Sequence, residues 1–321
     1  MNKVSVIIPN YNGKHFLMPC LEALGRQTMK DFDIIIIDNG SKDGSAQYIK
    51  DEHPGIHLIE FKENTGFCRA INEGVKAASS KYVLLLNNDT IPEEGFVEEL
   101  YRGIESHKKA FSCASCMLTV EDHNILDSAG DLYSAFGWAF ARGHGKPAEL
   151  FDKPVKVFSA CAGAAIYDRE LFIKLGMLDE EHFAYMEDID LGYRARINGY
   201  ENWYIPTARV IHVGSGTSGS AHNEFKVTHS SRNNVYVIYK NMPLFQRIIN
   251  APFLFAGFTI KKMYFAKKGF KETYKNGLKE GKKLACSSKG LEKRQKFKVH
   301  NLKNYLGIQL ELWTNMFKRR A

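Results

Sequence analysis

The first hundred residues of the chain alternate apolar runs with stretches that repeat apolar side chains at helical spacing. Strands are predicted at Val4–Ile8, Ile34–Ile37, Ile56–Phe61 and Tyr82–Leu86. Apart from Ser5, all but the third are continuously apolar, which is typical of strands buried on both faces of a sheet. Residues 17–24 and 67–78 lie between strands and follow helical periodicity. The alternation predicts βαβ units, and therefore an α/β fold with a mainly parallel central sheet.

The pattern changes after about residue 103, where strands and helices no longer alternate regularly. Strands are predicted at Phe111–Val120, Val155–Tyr167, Trp203–Ile205 and Arg209–Val213, and helices at Asp168–Leu175 and Glu187–Asn198. Residues 121–154 are interpreted as a loop-rich insertion, and Gly214–Ser220 as a flexible loop because of its glycine and serine content. Gly74 lies inside a predicted helix, where close packing on the sheet would explain it.

The region from Lys240 onward is predicted to be helical, and it differs from the rest of the chain in charge. It holds 20 Lys and Arg against 4 Asp and Glu, whereas the preceding residues hold 24 against 32. The net charge of +8 therefore combines an acidic body with a strongly basic tail, whose expected partner is polyanionic. The apolar segment Ile248–Ile260 is shorter than the roughly 20 residues that a membrane span needs, so we expect an interfacial or packed helix.

The positions of the cysteines and the N-terminal residues indicate the cellular compartment in which the protein is expected. Only Cys113 and Cys116 are close in sequence, and no second pair or histidine follows them at zinc spacing. Buried thiols in a reducing compartment are therefore expected. Met1-Asn2-Lys3 leads directly into a predicted strand, from which we expect no signal peptide and a cytoplasmic location.

A polar cluster follows each of the first four predicted strands. The clusters are Pro9-Asn10-Tyr11-Asn12, Asp38-Asn39-Gly40-Ser41, Asn64-Thr65-Gly66-Phe67 and Asn87-Asn88-Asp89. Ligands of open α/β sheets bind outside the carboxyl ends of the strands, so four clusters in these positions predict one site. Tyr11 offers an aromatic face, and Asn10 and Asn12 offer amide hydrogen bonds, which together suit a base and a ribose.

Two residues near these strand ends have competing interpretations. Asp38 either accepts hydrogen bonds from a base N–H or a ribose hydroxyl, or it only satisfies backbone donors at the entry to a helix. Arg69 follows the loop that leads into a helix N-terminus, where backbone N–H groups favour anions. Its side chain either reaches a phosphate or is a solvated surface arginine.

Three carboxylates and one histidine are candidates for catalysis or metal binding. Asp89 follows a buried strand and suits a hard divalent cation that also binds a diphosphate, unless it only caps the next turn. Glu187 and Asp188 open a predicted helix, where they either complement the helix dipole or include a base for a sugar hydroxyl. His212 is either a core histidine or a metal ligand opposite Asp89.

Five motifs stand in a fixed order between residues 4 and 240. They are Val4–Asn12, Asp38-Asn39-Gly40-Ser41, Asn64-Thr65-Gly66-Phe67, Asn87-Asn88-Asp89-Thr90 and Tyr185–Leu191. Together they closely resemble family 2 glycosyltransferases, and in particular the bacterial rhamnosyltransferase-like enzymes of surface polysaccharide assembly. The resemblance implies a GT-A fold and inverting transfer of a sugar from a nucleoside diphosphate sugar. dTDP-rhamnose is the first expectation for the donor and a UDP-sugar the second, with Mg²⁺ or Mn²⁺ as the cofactor.

The resemblance also implies a role for each matching position. The donor-binding residues would be Pro9, Tyr11, Asn12, Asp38, Asn64, Gly66, Arg69, Asn87, Asn88 and Asp89. Asp89 and His212 would bind the metal, and Asp188, with Glu187 beside it, would be the catalytic base. Asn87 stands where the family has the first aspartate of its Asp-X-Asp motif, which removes one negative charge from the metal site.

By the same resemblance, residues 1–240 would form the GT-A domain, with a nucleotide-binding half (1–102) and an acceptor-binding half (103–240). Residues 241–321 would form a basic, aromatic-rich helical region. We interpret this region as peripheral on the inner face of the plasma membrane, near a glycan or lipid-linked glycan acceptor. The alternative is a packed bundle with contacts between copies in a homo-oligomer. Nucleic acid is not an expected partner, because the sequence contains no recognised binding module.

Two rival functions remain at this point. A nucleotide-sugar-binding module that has lost catalysis would be favoured by substituted carboxylates, but Asp89 and Asp188 are both present. A dinucleotide-dependent oxidoreductase would need Gly-x-Gly-x-x-Gly after the first strand, where Asn10-Tyr11-Asn12-Gly13 stands instead. In the transferase, the loop Gly214–Ser220 would close over the donor and exclude water.

Overall fold

A large mixed sheet with helices packed on both faces forms the body of the protein. The structure is a computed structural model, and it describes residues 2–213 and 222–318. The strands are β1 (Val4–Asn10), β2 (Phe32–Asp38), β3 (His57–Glu60), β4 (Tyr82–Leu86), β5 (Thr90–Pro92), β6 (Ala110–Thr119), β7 (Leu126–Ser128), β8 (Asp131–Tyr133), β9 (Ala139–Ala141), β10 (Val155–Val157), β11 (Ala164–Asp168) and β12 (Glu201–His212). The helices are α1 (Lys14–Gly25), α2 (Ser45–Glu52), α3 (Phe67–Ala77), α4 (Phe96–Ser106), α5 (Arg169–Lys174), α6 (Glu187–Ile197), α7 (Glu224–Asn241), α8 (Leu244–Lys267), α9 (Lys271–Ala285), α10 (Ser288–Glu292) and α11 (Leu302–Lys318).

The sheet is parallel through β1, β2, β3 and β4 and mixed beyond them. Its order is β10-β12-β6-β11-β4-β1-β2-β3. β1 pairs in parallel with β2 and β4, and β2 pairs in parallel with β3. β11 is antiparallel to β4 and β6, while β6 and β12 are parallel to each other. This topology confirms the predicted α/β fold and aligns the carboxyl ends of β1, β2, β3 and β4 at one edge.

The continuously apolar strands are buried on both faces. Val4, Val6 and Ile8 pack into one hydrophobic core, and Ile7 packs into another on the opposite face. Gly74 of α3 confirms the expected close packing, because a Cβ there would lie 2.5 Å from Ile7 Cγ2. Cys113 and Cys116 are buried free thiols, also as expected.

Two strand predictions were wrong in detail, and the predicted loop-rich segment contains short strands. Val155–Tyr167 is not one strand, because residues 158–163 leave the ladder between β10 and β11. The two strands predicted at Trp203–Ile205 and Arg209–Val213 are parts of β12, interrupted by an irregularity between Ile205 and Arg209. Residues 121–154 include β7, β8 and β9 as well as loops.

Pro9 was also expected to end the first strand, and this was wrong. Pro9 and Asn10 continue the register with Ile37 and Asp38 of β2. A proline removes one backbone donor but keeps its carbonyl acceptor, so a parallel neighbour can still pair with the adjacent residues. The polar side chains after β1 therefore begin inside the sheet.

The helices after β12 confirm the helical prediction for the end of the chain and are joined to the body by a third core. This core combines Tyr133 and Tyr193 with Val237, Tyr305 and Leu312. α9 lies against α7 at two glycines, since a Cβ on Gly277 would lie 2.0 Å from Ser231 Oγ. The boundary proposed at residue 240 stays a prediction. The loop Gly214–Ser220 lies outside the described residues.

Candidate functional site

A cavity of about 750 Å³ lies at the carboxyl ends of the central strands, between two walls. The strand-end wall consists of Pro9, Asn10, Tyr11, Asn39, Asn64, Phe67, Asn87, Asn88 and Asp89. The acidic wall consists of residues 161–163 and 183–188, with His212, Asn223, Phe225 and Lys226. Nine of the thirteen predicted site residues line this one cavity. They are Pro9, Tyr11, Asn64, Asn87, Asn88, Asp89, Glu187, Asp188 and His212.

Asparagine side chains connect the loops of the strand-end wall. Asn10 Nδ2 donates to Asp38 Oδ2 at 3.0 Å, and Asn88 Nδ2 donates to Asn10 Oδ1 at 2.7 Å. Asn39 Nδ2 donates to Asn64 Oδ1 at 3.1 Å. These bonds fix the four strand ends relative to one another, because each amide both donates and accepts.

Asp38 and Asn12 support the loops of the strand-end wall, but they do not line the cavity. Asp38 is buried, and its Oδ1 accepts from the Ser41 N–H at 2.8 Å. Asn12, at a φ of +50°, accepts from the Lys42 N–H at 2.7 Å through its Oδ1. The contacts of Asp38 match its second interpretation, in which the carboxylate satisfies donors of the protein.

Gly66 and Arg69 also lie outside the cavity lining. Gly66 has a φ of +91°, and a Cβ there would lie 2.6 Å from the Phe183 ring, so only glycine fits between the two walls. The N–H of Cys68 in the first turn of α3 donates to the Phe183 carbonyl at 3.1 Å. Arg69 is exposed, with its guanidinium 5.9 Å from the Phe61 ring centroid. The start of α3 therefore contacts the acidic wall through Phe183. Phosphate binding by Arg69 stays a prediction.

Unusual backbone angles mark the turn before α6. Phe183, Tyr185 and Met186 have φ values of +63°, +69° and +71°. Non-glycine residues adopt such angles only where the surroundings hold them, and they cluster at functional sites. Asn233 of α7 is fully buried, and its Nδ2 lies 2.8 Å from each of three carbonyl oxygens of this turn, those of His182, Ala184 and Tyr185.

The carboxyl groups in and behind this wall are crowded, and Glu187 is buried while Asp131 and Asp188 are half-buried. The nearest ligand atoms of Asp131, Cys161 and Asp188 all lie within 4.8 Å of one another. Burial, and next the charge of Asp188, hold the pKa of Asp131 well above its ordinary value. The same two causes raise the pKa of Glu187 to about 8. Burial also raises the pKa of Asp188, but the Ile189 N–H and Asp131 oppose this. The negative charge of Asp188 therefore receives hydrogen bonds from both the backbone and the Asp131 side chain.

Asp89 and His212 face each other across the cavity surface. His212 Nε2 lies 3.5 Å from Asp89 Oδ1, while its Nδ1 lies 2.7 Å from Asp127 Oδ2. Burial lowers the pKa of His212, but Asp127 and Asp89 outweigh it and raise the pKa to about 9. A carboxylate behind an imidazole is the usual support of a metal-binding histidine, so these residues fit a divalent cation. Such a cation would displace the proton of His212.

A buried group of charges, the anchor cluster of Asp179, Asp190, Arg194 and Lys240, lies below the acidic wall. Lys240 Nζ lies 2.7 Å from Asp179 Oδ2 and 2.9 Å from Asp190 Oδ2, and Arg194 Nη2 lies 2.6 Å from the same Asp190 oxygen. Burial alone would raise the pKa of Asp190, but Arg194 and Lys240 hold it well below its ordinary value. Asp190 follows Asp188 by two residues, so the cluster fixes the start of α6.

Several residues around the site were not predicted from the sequence. Asp127 and Asp131 fall in the segment interpreted as loops, although β7 and β8 position them. Lys240 was counted with the basic tail, yet it is buried between two carboxylates. Its place near the end of α7, a helix that buries one side against the body, is what a packed position would require.

Comparison with known proteins gives the same assignment along most of the chain. Residues 5–176 match the model of glycosyl transferase family 2. The uncharacterized glycosyltransferase YwdF of Bacillus subtilis is 30% identical over 216 residues, which cover 66% of this chain and 75% of YwdF. An N-acetylglucosaminyl-diphospho-decaprenol L-rhamnosyltransferase of Mycobacterium tuberculosis is 24% identical over 239 residues, covering 67% of this chain and 77% of the relative.

Other similar proteins are longer than this chain. The match to glycosyltransferase GlyA of Streptococcus pneumoniae is 33% identical over 109 residues, covering 33% of this chain and 16% of GlyA. The structure of GalNAc-T7 with UDP, GalNAc and Mn²⁺ superposes with a TM-score of 0.60 at 18% identity, covering 75% of this chain and 48% of that one. This likeness confirms the expected GT-A fold. The family match and the relative YwdF together show that the chain belongs to glycosyl transferase family 2.

Proposed function

We propose that this chain transfers a sugar from a nucleoside diphosphate sugar to a hydroxyl of a glycan acceptor in bacterial cell-surface glycan synthesis, with inversion at the anomeric carbon. One observation carries the proposal: the strand-end wall, Asp89 with His212, and Asp188 all line the same cavity. A cavity of about 750 Å³ suits a ligand the size of a nucleotide sugar.

The strand-end wall is the donor side. Tyr11 is 37% exposed and presents its ring to the cavity, where a nucleobase can stack. The hydrogen bond between Asn39 and Asn64 fixes both side chains, so they offer polar groups in fixed positions to the nucleoside. A divalent cation held by Asp89 and His212 would stabilise the charge that develops on the leaving diphosphate.

Asp188 is the proposed base. It accepts the proton of the acceptor hydroxyl while that oxygen forms a bond to the anomeric carbon. The bond from the anomeric carbon to the diphosphate oxygen breaks, and the nucleoside diphosphate leaves. Glu187 is less suited, because its pKa of about 8 keeps it largely protonated at neutral pH. The strained turn at 183–186 and the buried Asn233 hold Asp188 in position.

The donor and acceptor classes come from the relatives. One relative's name describes L-rhamnosyl transfer to N-acetylglucosaminyl-diphospho-decaprenol, a lipid-linked saccharide. A solved structure with the same fold contains UDP and Mn²⁺. We therefore propose dTDP-rhamnose or a UDP-sugar as the donor, a lipid-linked glycan as the acceptor, and Mg²⁺ or Mn²⁺ as the cofactor.

The test combines a donor panel with one substitution. The protein is incubated with dTDP-rhamnose and UDP-sugars in the presence of Mn²⁺, and slow hydrolysis identifies the donor. Asp188→Asn should lower turnover by about 10² to 10⁴-fold, because it removes the base. Nucleotide affinity, measured by calorimetry, should stay within about twofold, since Asp188 lies on the opposite wall.

Glu187→Gln is the matched control, because it changes the neighbouring carboxyl without removing the base. At pH 7 the loss of turnover should be much smaller than for Asp188→Asn, since glutamine resembles the protonated acid. An equal loss in both variants would contradict the base assignment. Nucleotide binding without any turnover by the unmodified chain would favour an inactive binding module.

A further inference from the structure

Helix α8 buries polar residues and exposes apolar ones. Its buried residues are Gln246, Asn250 and Gly257. Three apolar residues repeat the four- and seven-residue spacing of this buried set. They are Leu244, Ile248 and Phe255, and they are 62%, 64% and 75% exposed. The two sets are offset by two residues, about 200° around the helix, so they lie on opposite faces. A helix on the surface of a soluble protein normally has the reverse arrangement.

Helix α11 pairs with the polar face of α8. Asn250 and Gln309 exchange two amide hydrogen bonds of 2.9 and 2.8 Å, and Trp313 Nε1 donates to Asn250 Oδ1 at 3.1 Å. Gln246 Nε2 donates to the Tyr305 carbonyl at 2.9 Å. A buried polar network of this kind fixes the rotation of both helices, because turning either one would leave amides unpaired.

The outer side of α11 is apolar as well. Leu306, Leu310 and Phe317 are 52%, 61% and 77% exposed. A groove of about 380 Å³ between α7 and α8 is lined in part by Leu244 and Ile248, so it adjoins the exposed apolar residues of α8. We call the exposed apolar residues of α8, Leu244, Ile248 and Phe255, the apolar face. Of the twenty large hydrophobic residues that are exposed among the described ones, fourteen lie between 244 and 317, so the exposure is concentrated. Such a concentration marks a contact surface.

Positive charge accompanies the apolar face. Lys262, Lys267 and Lys268, at the end of α8, are exposed. Residues from Lys240 onward hold 20 basic against 4 acidic side chains, although Lys240 and Lys293 are paired with Asp179. Apolar side chains beside lysines complement an anionic lipid leaflet, where hydrocarbon lies below negative headgroups. None of the described helices is long and apolar enough to cross a membrane.

The same end of α8 lies close to the cavity. Tyr264, 44% exposed, has its hydroxyl 2.8 Å from Nε2 of His222. Asn223 and Phe225, which follow directly, line the cavity. A saccharide linked to a membrane lipid would therefore reach Asp188 from this side.

We propose that the apolar face of α8 docks the chain on an anionic lipid leaflet, with the helix lying in the interface. The proposal deepens the proposed function, since it names the surface that brings the enzyme to a lipid-linked acceptor. The occupant is the leaflet itself, because the basic side chains around the face match its charge.

The experiment is co-sedimentation of the full chain with phosphatidylcholine vesicles that contain or lack phosphatidylglycerol, without nucleotide. The chain should pellet with the anionic vesicles, and less at high salt. Ile248→Asn with Phe255→Asn should lower the partition coefficient by about tenfold or more for each side chain. Leu150→Asn with Ile173→Asn, at two exposed hydrophobic positions outside the face, should leave it unchanged.

Several results would overturn the proposal. The first is that the unmodified chain does not pellet with the vesicles, and the second is that the two double variants pellet equally. The third is that the unmodified chain is a dimer in sedimentation equilibrium, and that Ile248→Asn with Phe255→Asn makes it monomeric while the control variant does not. The last result would assign the face to a second copy of the chain. Donor hydrolysis is measured separately for each variant. Its absence from the unmodified chain would contradict the proposed function but leave the vesicle result standing.

Discussion

The two walls of the cavity are built in different ways. The strand-end wall takes its side chains from positions directly after β1, β2 and β4, and hydrogen bonds between adjacent loops, such as Asn88 to Asn10, hold it together. The acidic wall stands on a strained turn that is held from a distance, by Asn233 of α7 and by the anchor cluster. The proposed donor side is thus held by local contacts, whereas the position of the proposed base depends on how the C-terminal helices pack.

This difference can be tested, because damage to one wall should leave the other intact. Substitutions in the anchor cluster should lower stability and turnover more than nucleotide affinity. Substitutions in the strand-end wall should lower nucleotide affinity more than they lower stability or turnover. The three experiments below run from the largest expected effect to the smallest.

The largest effect is expected from Lys240→Met. Lys240 is 4% exposed and lies between Asp179 and Asp190, so its loss leaves two buried carboxylates with one fewer cation. Breaking a buried ion pair from one side costs about 3–5 kcal/mol of the free energy of unfolding. Urea unfolding measures this cost. In the folded fraction, turnover should fall while nucleotide affinity changes little.

Lys283→Met is the control for Lys240→Met, since Lys283 is an exposed lysine of α9. Its effect on the free energy of unfolding should stay within about 0.5 kcal/mol. Equal stability of the two variants would mean that the anchor cluster does not hold the acidic wall.

The strand-end wall was the part of the site that the sequence predicted well. β4 spans Tyr82–Leu86 as predicted, and β1, β2 and β3 start or end within two residues of their predicted bounds. The reason is physical: strands buried on both faces are largely apolar, so the end of an apolar run lies within two residues of the end of the strand. Asp38 shows the limit of this reasoning, because position alone does not tell whether a carboxylate faces a ligand or the neighbouring loop.

The acidic wall was predicted only in part. Glu187 and Asp188 were recognised from their motif, but Asp131 and the anchor cluster were not. Asp131 lies more than fifty residues before Asp188 in sequence and is brought to it by β8 and the return of residues 158–163. Contacts across such separations leave no periodic pattern, since they depend on tertiary packing rather than on local spacing.

A smaller effect is expected from Tyr11→Ala in the strand-end wall. Loss of aromatic stacking on a base costs about 1–3 kcal/mol, which corresponds to nucleotide binding weaker by about 5- to 150-fold. Calorimetry with UDP and dTDP measures this change. Tyr11→Phe keeps the ring and should bind almost as the unmodified chain does. Because Tyr11 is 37% exposed, neither variant should alter the free energy of unfolding by more than about 0.5 kcal/mol. Equal binding by all three proteins would remove Tyr11 from the donor site.

The smallest effect is expected in the pH dependence of turnover, from Asp131. Asp188 acts as a base only when it is deprotonated, so activity should rise with pH through the pKa of Asp188. Burial raises this pKa, whereas Asp131 opposes the rise, as a protonated neighbour that can donate to the charged Asp188. Asp131→Ala removes that donor and should move the acid limb of the rate profile to higher pH. A lost hydrogen bond of about 1 kcal/mol corresponds to a shift of roughly 0.7 pH units.

Asp131→Asn separates this role from simple packing. Asparagine keeps the shape and a donor but cannot ionise, so its acid limb should stay close to that of the unmodified chain. At high pH the unmodified chain should lose activity as Asp131 itself ionises beside Asp188, because two adjacent buried negative charges disfavour each other. The asparagine variant should keep its activity there. If the alanine variant had the same acid limb as the asparagine variant, Asp131 would act through packing alone, and the base would be tuned only by its burial and by the N–H of Ile189.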